Sequence, residues 1–454
     1  MCLLMLIRGL NAIVLCAVFA MIAAPAERLA ATPPMGWNSW DAYGLTINEE
    51  QFRANAQVLA GLKSYGWNYA VVDEGWYFED PQAKPEARKS FWDSEGRLIP
   101  DAVRYPSAAA GAGFKPLADW THSQGLKFGI HIVRGIPKGV VGENRPVANS
   151  GFHASDVADT SDTCPWDNGN YGVRDNPAGQ AYYDSMMRLY ASWGLDFLKV
   201  DCIADHPYKG AEIRMIAASI KKAGRPIELS LSPGPTNLSH AAEVAEYSQM
   251  WRIADDIWDG WDFPGKEFPN GIRSAFDNLA KWAKFAKPGN WPDADMLPWG
   301  SLTPHPGWGE PRQSRVTQDE ERTQFALWAM SRSPLILGAN LTKLDEFTRS
   351  LITNKEVIAI DQSAVASAEI AGDAADATRL RVWSASTGGS QPKRYLAVFN
   401  LQDAPLQRDL AWPPPLAGSA HAVYEVWSQF HVPSAAALHV ELPAHGCAIF
   451  RIER

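Results

Sequence analysis

Lys199 and Asp201 close the apolar run Phe197-Leu-Lys-Val-Asp-Cys202. Residues two apart in an extended strand project to the same side, so an ammonium and a carboxylate emerge there together. A lysine beside a carboxylate keeps it ionised, as a nucleophile requires. Taken alone, the pair could equally be a structural ion pair at a strand end. Other apolar runs carry polar residues at or near their ends: Trp40, Asp73 with Glu74, His131, Ser232, Arg252 with Asp255 and Asp256, and Asp293 with Asp295. A ring of carboxylates with one lysine, one arginine and tryptophan suits a sugar. Carboxylates accept hydrogen bonds from neighbouring hydroxyls, and indole packs against the C–H face of a pyranose. Metal-assisted hydrolysis is the other chemistry of carboxylate-lined sites. It commonly uses paired histidines near strand ends, and no His-x-His occurs in the chain. No metal and no cofactor are expected.

The elements that must position these residues alternate regularly. Short apolar runs begin at Met35, Tyr69, Lys127, Phe197, Ile227, Met250, Trp291 and Pro334. Amphipathic helical patterns fall between them: 48–63, 117–125, 180–193, 211–223, 241–248, 272–285 and 319–330. About eight near-continuous apolar strands alternating with helices predict a (β/α)8 TIM barrel, whose site lies at the strand C-termini. A doubly wound open sheet is the alternative, but no Gly-rich phosphate loop follows the first strand. After Gln362 the helical pattern stops. An Ala-rich stretch, 363–378, reads as connection. Runs beginning at Leu380, Tyr395, Ala422, His439 and Cys447, separated by Gly, Pro and Ser, predict a C-terminal antiparallel β-sandwich. The expected organisation is therefore 1–26 signal, 27–362 barrel and 363–454 sandwich.

Composition narrows the function classes. The chain has 454 residues and a net charge of −9, which argues against nucleic acid or an anionic membrane surface as partner. Its 19 tryptophans suit sugar faces but also fill cores, and the count alone favours core. Arg8, the apolar stretch 13–24 and Ala24-Pro25-Ala26 read as a cleavable export signal too short to span a membrane. A secreted or periplasmic protein follows, with no membrane partner after cleavage. Export permits disulfides, and Cys164 with Cys202 is the expected pair, closing a loop of roughly 38 residues worth about 4 kcal/mol. Cys447 reads as a free core thiol.

Together the motifs resemble glycoside hydrolase family 27, the melibiase-type α-galactosidases. Thr32-Pro-Pro-Met-Gly-Trp-Asn-Ser-Trp40 is similar to that family's opening motif, and Asp73-Glu74-Gly75-Trp76 to its acidic pair. Leu198-Lys-Val-Asp-Cys202 resembles its nucleophile strand, and Trp251-Arg-Ile-Ala-Asp-Asp256 its acid/base motif. Trp291-Pro-Asp-Ala-Asp-Met296 and residues 323–336 fit as well. The resemblance implies a retaining hydrolase of terminal α-D-galactosides, with Asp201 as nucleophile and Asp256, rather than adjacent Asp255, as acid/base. It implies sugar contacts from Trp40, Asp73, Glu74, His131, Lys199, Ser232, Arg252 and Asp295. Three departures affect the glycone: Glu74 stands where a second Asp is usual, Gly75 where a Cys is frequent, and Ser232 where a longer acidic residue often meets the 2-position. A β-L-arabinopyranosidase or an α-N-acetylgalactosaminidase on the same scaffold is thus the alternative, and a catalytically dead sugar-binding protein the remote one. The segment between His131 and Cys164 is long and is read as a wall or lid.

Overall fold

The computed structural model describes residues 28–84, 87–266, 268–302, 309–370, 379–414 and 416–453. The expected export signal, 1–26, lies outside the described residues. Eight parallel strands form the central sheet: β1 Met35–Asn38, β2 Tyr69–Val72, β3 Lys127–Val133, β4 Phe197–Asp201, β5 Glu228–Leu231, β6 Met250–Arg252, β7 Trp291–Asp293 and β8 Leu335–Leu337. Each strand from β1 to β7 pairs with its sequence neighbours, and β1 also pairs with β8. The sheet curls until β7 faces β8. There Leu297, just beyond β7, donates to Ile336 O (2.7 Å) and accepts from Gly338 N–H (3.1 Å).

Strand alternation sorts the side chains into two populations. Ala70, Val72, Phe128, Ile130, Ile132, Leu198, Val200, Leu229, Leu231 and Trp251 belong to the main core beneath the outer helices. The other parity, Tyr69, Val71, Phe197, Met250 and Ile336, packs as a separate apolar plug with Met296. Continuing that second parity by two residues reaches Asp73, Lys199 and Arg252. The period of two therefore lifts the charged groups above a dry plug. Gly36 on β1 leaves the space that Tyr69 fills, since a Cβ there would overlap the Tyr69 backbone. At the opposite end Tyr69 Oη donates to Glu228 (2.7 Å), which also pairs with Lys127 (2.8 Å).

The helices form where the periodicity places them. Asn48 and Gln51 make a capping box on Glu49–Ala60, and Thr317 and Glu320 make one on Gln318–Ser331. Pro177 opens the helix Pro177–Trp193, which stops at left-handed Gly194 (φ +88°). Thirteen of the 19 tryptophans are buried, so most of this aromatic content is core.

Beyond the barrel lies a six-stranded antiparallel sheet ordered Ala364–Glu369, Leu380–Thr387, Arg394–Asn400, Cys447–Ile452, His421–Glu425 and Phe430–Ala435. A two-stranded sheet, Leu406–Ala411 with Ala437–Leu442, covers one face. Leu396 and Val398 point toward Leu438 and Val440 of that cover, whereas Tyr395, Ala397 and Phe399 join the barrel core. The stretch read as connection thus contains an edge strand, Ala364–Glu369. Its Val365 is 71 % exposed, so it carries little apolar alternation. Cys447 is buried and free, its thiol pushed up to about 12 by burial.

Between β3 and helix Pro177–Trp193 a small antiparallel sheet, Ile136–Pro137, Asn170–Val173 and Ala158–Thr163, builds a wall beside the barrel mouth. Buried Arg134 anchors it, donating to Asp162 (2.9 Å), Glu212 (2.9 Å) and Cys202 O (2.6 Å). The Cys164–Cys202 disulfide, spanning 38 residues, ties the wall to the end of β4. Replacing both cysteines with alanine should lower the urea midpoint, with a stability loss of order 4 kcal/mol. An unchanged midpoint would mean that the bridge adds nothing to the clamp Arg134 already provides.

Candidate active site

A cavity of about 660 Å³ opens at the C-terminal ends of the strands. Eight of the residues singled out in the sequence line it: Trp40, Asp73, Glu74, His131, Lys199, Asp201, Ser232 and Asp256. Arg252 and Asp295 do not. They lie beneath the floor, each 2 % exposed, and pair at 2.8 Å. Arg252 pairs with both Asp295 and Asp256, so the two residues brace Asp256 from behind.

Asp201 ends β4. The chain turns sharply at Cys202 (φ +61°), which brings the Cys202 N–H back to Asp201 Oδ1 at 2.7 Å. Asp201 Oδ2 faces His131 Nε2 at 3.7 Å and accepts from Trp166 Nε1–H at 3.4 Å. Burial opposes ionisation of this carboxyl. Hydrogen bonding and charge from His131, the Lys199 ammonium and the Cys202 N–H outweigh it and hold Asp201 below the usual carboxylate range. Lys199 Nζ donates to Asp73 Oδ2 at 3.0 Å. Burial disfavours its charge as well, but Asp73 and Asp201 push Lys199 above its ordinary value. Asp73, also bonded by Asn38 Nδ2 (2.6 Å) and by the Glu74 N–H (2.9 Å), is likewise held low against its burial. Lys199 thus keeps Asp73 and Asp201 ionised, and the two carboxylates keep Lys199 charged.

Asp256 comes from the bends after β6, past the last residue of the strand. Arg252 Nη2 holds its Oδ1 at 3.1 Å, and its side chain is 32 % exposed to the cavity. Strand alternation therefore does not orient it. Asp295, at φ +90°, does so by accepting from Ile257 N–H (2.6 Å) while pairing with Arg252. Burial raises Asp295 to about 7, with Arg252 opposing and Asp256 adding to the rise. The neighbouring Asp255 does not line the cavity. It faces His206 Nε2 at 3.7 Å and is raised to about 6 by burial.

Several residues at or beside the site escape the sequence reading, Arg88 in the cavity lining among them. Trp166 and Asp167 line the cavity from the wall, two and three residues after Cys164, whose disulfide already implied proximity. Glu74, 8 % exposed, hydrogen bonds Asp167, and burial followed by the charges of Asp167 and Asp201 raises its carboxyl well above the usual range. Another is Asp41, directly after Trp40. It is 1 % exposed, and its Oδ2, packed against Gly338 Cα, has no hydrogen-bond partner. Polar atoms of Glu74, His131 and Asp201 approach within 4.8 Å of one another, the one group among the described residues spaced for a metal ion. The Lys199 charge beside Asp201 opposes a cation there.

Asp41 yields a pH-dependent expectation. Burial, then Asp295 and Asp256, raise its carboxyl well above the usual range. The folded state therefore holds a proton that the unfolded state releases near pH 4, and this contribution to stability falls as pH rises through that interval. Asp41→Asn removes the term. Its melting temperature relative to wild type should rise from pH 5 to pH 8, and parallel curves would contradict a protonated Asp41.

The geometry is that of a charged, sugar-sized bowl, and the similarities of the chain agree with it. The family described as Alpha galactosidase A matches residues 32–142 and 164–363, and that described as Alpha galactosidase C-terminal beta sandwich domain matches residues 377–452. Alpha-galactosidase A of Cellvibrio japonicus is 32 % identical over 346 residues, 74 % of this chain and 69 % of that protein. Alpha-galactosidase A of Homo sapiens is 28 % identical over 356 residues, 74 % and 67 % of the two chains. Among solved structures, a family 27 β-L-arabinopyranosidase from Geobacillus stearothermophilus superposes with a TM-score of 0.87 at 38 % identity, covering 94 % of this chain and 97 % of its own. With the barrel and the sandwich both matched, the chain belongs to glycoside hydrolase family 27.

Proposed function

We propose that this glycoside hydrolase removes terminal galacto-configured pyranosides with retention, and that it prefers β-L-arabinopyranosides to α-D-galactopyranosides. In the first step Asp201 attacks the anomeric carbon, the bond to the leaving oxygen breaks, and Asp256 protonates that oxygen. In the second, Asp256 as carboxylate takes a proton from water, water oxygen bonds to the anomeric carbon, and Asp201 is released. The ionised Asp201 supports the nucleophile role, and the open position of Asp256 on its Arg252–Asp295 cradle supports the acid/base role. Trp40 provides an apolar face, while Lys199 and Asp73 meet ring hydroxyls. The signal-like N-terminus supports export of the enzyme.

The preference rests on Glu74. β-L-arabinopyranose has the ring configuration of α-D-galactopyranose without C6. A glutamate is one methylene longer than the aspartate usual in the family, and here it fills the wall together with Asp167. That carboxyl pair stands beside Asp73, where C6 and O6 would project. The similarity to an enzyme named as a β-L-arabinopyranosidase points the same way, and curated α-galactosidases at 26–32 % identity support retained activity on galactosides. One methylene shifts preference by roughly 10–200-fold and does not abolish the poorer reaction.

Two variants test the reading. Asp201→Asn should fold and lose nearly all turnover, so wild-type activity in it would remove Asp201 from the mechanism. Glu74→Asp should raise the ratio of kcat/KM for an aryl α-galactoside to that for an aryl β-L-arabinopyranoside by about tenfold or more. An unchanged or reversed ratio would mean that Glu74 does not read C6.

A further inference from the structure

We propose that Trp166 and His206 form a shelf that binds the ring carried by the leaving group, either a second sugar or an aryl ring. The proposal rests on the glycosidase reading of the cavity, and extends it outward from the glycone to the aglycone.

Trp166 is 44 % exposed, one of the few large apolar side chains left open among the described residues. It is also at the cavity mouth, with its indole N–H on Asp201 and its ring 5.2 Å from the His206 ring. His206 in turn lies 3.7 Å from Asp255, the immediate neighbour of Asp256. The two rings therefore run along the rim from the proposed nucleophile toward the proposed acid. A leaving group departs on the acid's side of the sugar, so its ring passes over this surface. An open aromatic face in water favours a partner with a flat, weakly polar face, which a pyranose C–H face and a phenyl ring both present.

The shelf is rigid before substrate arrives. Cys164, two residues before Trp166, is bonded to Cys202, and Asn170, four residues after it, donates to the carbonyls of Val133 (3.2 Å) and Arg134 (3.0 Å). Asp162 pairs with Arg134 (2.9 Å) and with Lys209 (2.8 Å), which tightens the loop bearing His206 against the same wall. A preformed surface loses little conformational freedom on binding. The family match is interrupted at residues 143–163, the segment that leads into this loop. Trp166 and His206 themselves fall within the matched range 164–363.

The experiment compares three substrates with the same glycone: a disaccharide, a nitrophenyl glycoside and the glycosyl fluoride, which carries no leaving-group ring. For Trp166→Ala, kcat/KM on ring-bearing substrates should fall about threefold to tenfold further than on the fluoride. Trp166→Phe, which keeps a ring, should restore most of that ratio, and His206→Ala should shift it in the same direction as Trp166→Ala. Loss confined to the disaccharide assigns the shelf to a sugar, and loss confined to the nitrophenyl substrate assigns it to aromatic aglycones. Equal losses on all three substrates would make Trp166 a positioning residue for Asp201 and overturn the shelf, as would no loss at all. If wild-type protein hydrolyses no galactosyl or arabinopyranosyl fluoride, the glycone reading itself fails, an outcome separate from either.

Discussion

The Lys199 ammonium, 3.0 Å from Asp73 and two residues from Asp201, is the charge on which the site depends. Asp41, Asp73, Glu74, Asp201, Asp293 and Asp295 crowd one end of the barrel, where Lys199 and Arg252 are the buried cations among the described residues and Arg88 joins the cavity lining. With buried carboxylates in excess over cations, some carboxyls are held low and others are raised. The division follows position. Asp73 and Asp201 lie against Lys199 and His131 and stay ionised. Burial and neighbouring carboxylates push Asp41 and Glu74 well above the usual range, against the opposing Lys199 charge at Asp41. A site with two kinds of carboxyl group can attack with one and donate hydrogen bonds with another.

Secondary structure delivers this arrangement cheaply. The residues that face inward from β2, β4 and β6 begin as an apolar plug and become Asp73, Lys199 and Arg252 one repeat later. Short strands on a packed core hold these groups more firmly than loops could. The loops contribute the parts proposed to discriminate between substrates. Trp166 and Asp167 arrive on the wall segment, and its anchors, Arg134 and the Cys164–Cys202 bridge, both converge on Cys202, the residue after Asp201. The segment proposed to meet the leaving group is therefore braced against the strand that carries the proposed nucleophile.

The barrel and most of the bowl were legible in the sequence, because apolar runs ending in charge are a direct imprint of strands that end at a site. What eluded that reading has physical causes. Asp255 and Asp256 lie beyond the end of β6, so the motif spacing, not strand alternation, singles out Asp256, the carboxylate that Arg252 holds. Residue type alone does not reveal that Arg252 and Asp295 pair with each other behind Asp256. Asp41 sits next to Trp40 in the first helical turn after β1 and has no strand pattern to mark it. The strands Ala364–Glu369 and Leu406–Ala411 went unseen because each is exposed on much of its length, which removes the apolar alternation that identifies a strand.

The central claim is that the carboxylate kept ionised by Lys199 and His131 forms the bond to the sugar. The direct measurement is mass spectrometry of enzyme quenched with acid during turnover of a 2-deoxy-2-fluoro glycosyl fluoride, a substrate that slows breakdown of any glycosyl ester. The account predicts one added glycosyl unit, located by peptide mapping on Asp201. A label on Asp73, Glu74 or Asp256, or an unlabelled enzyme that releases product of inverted configuration, would contradict it.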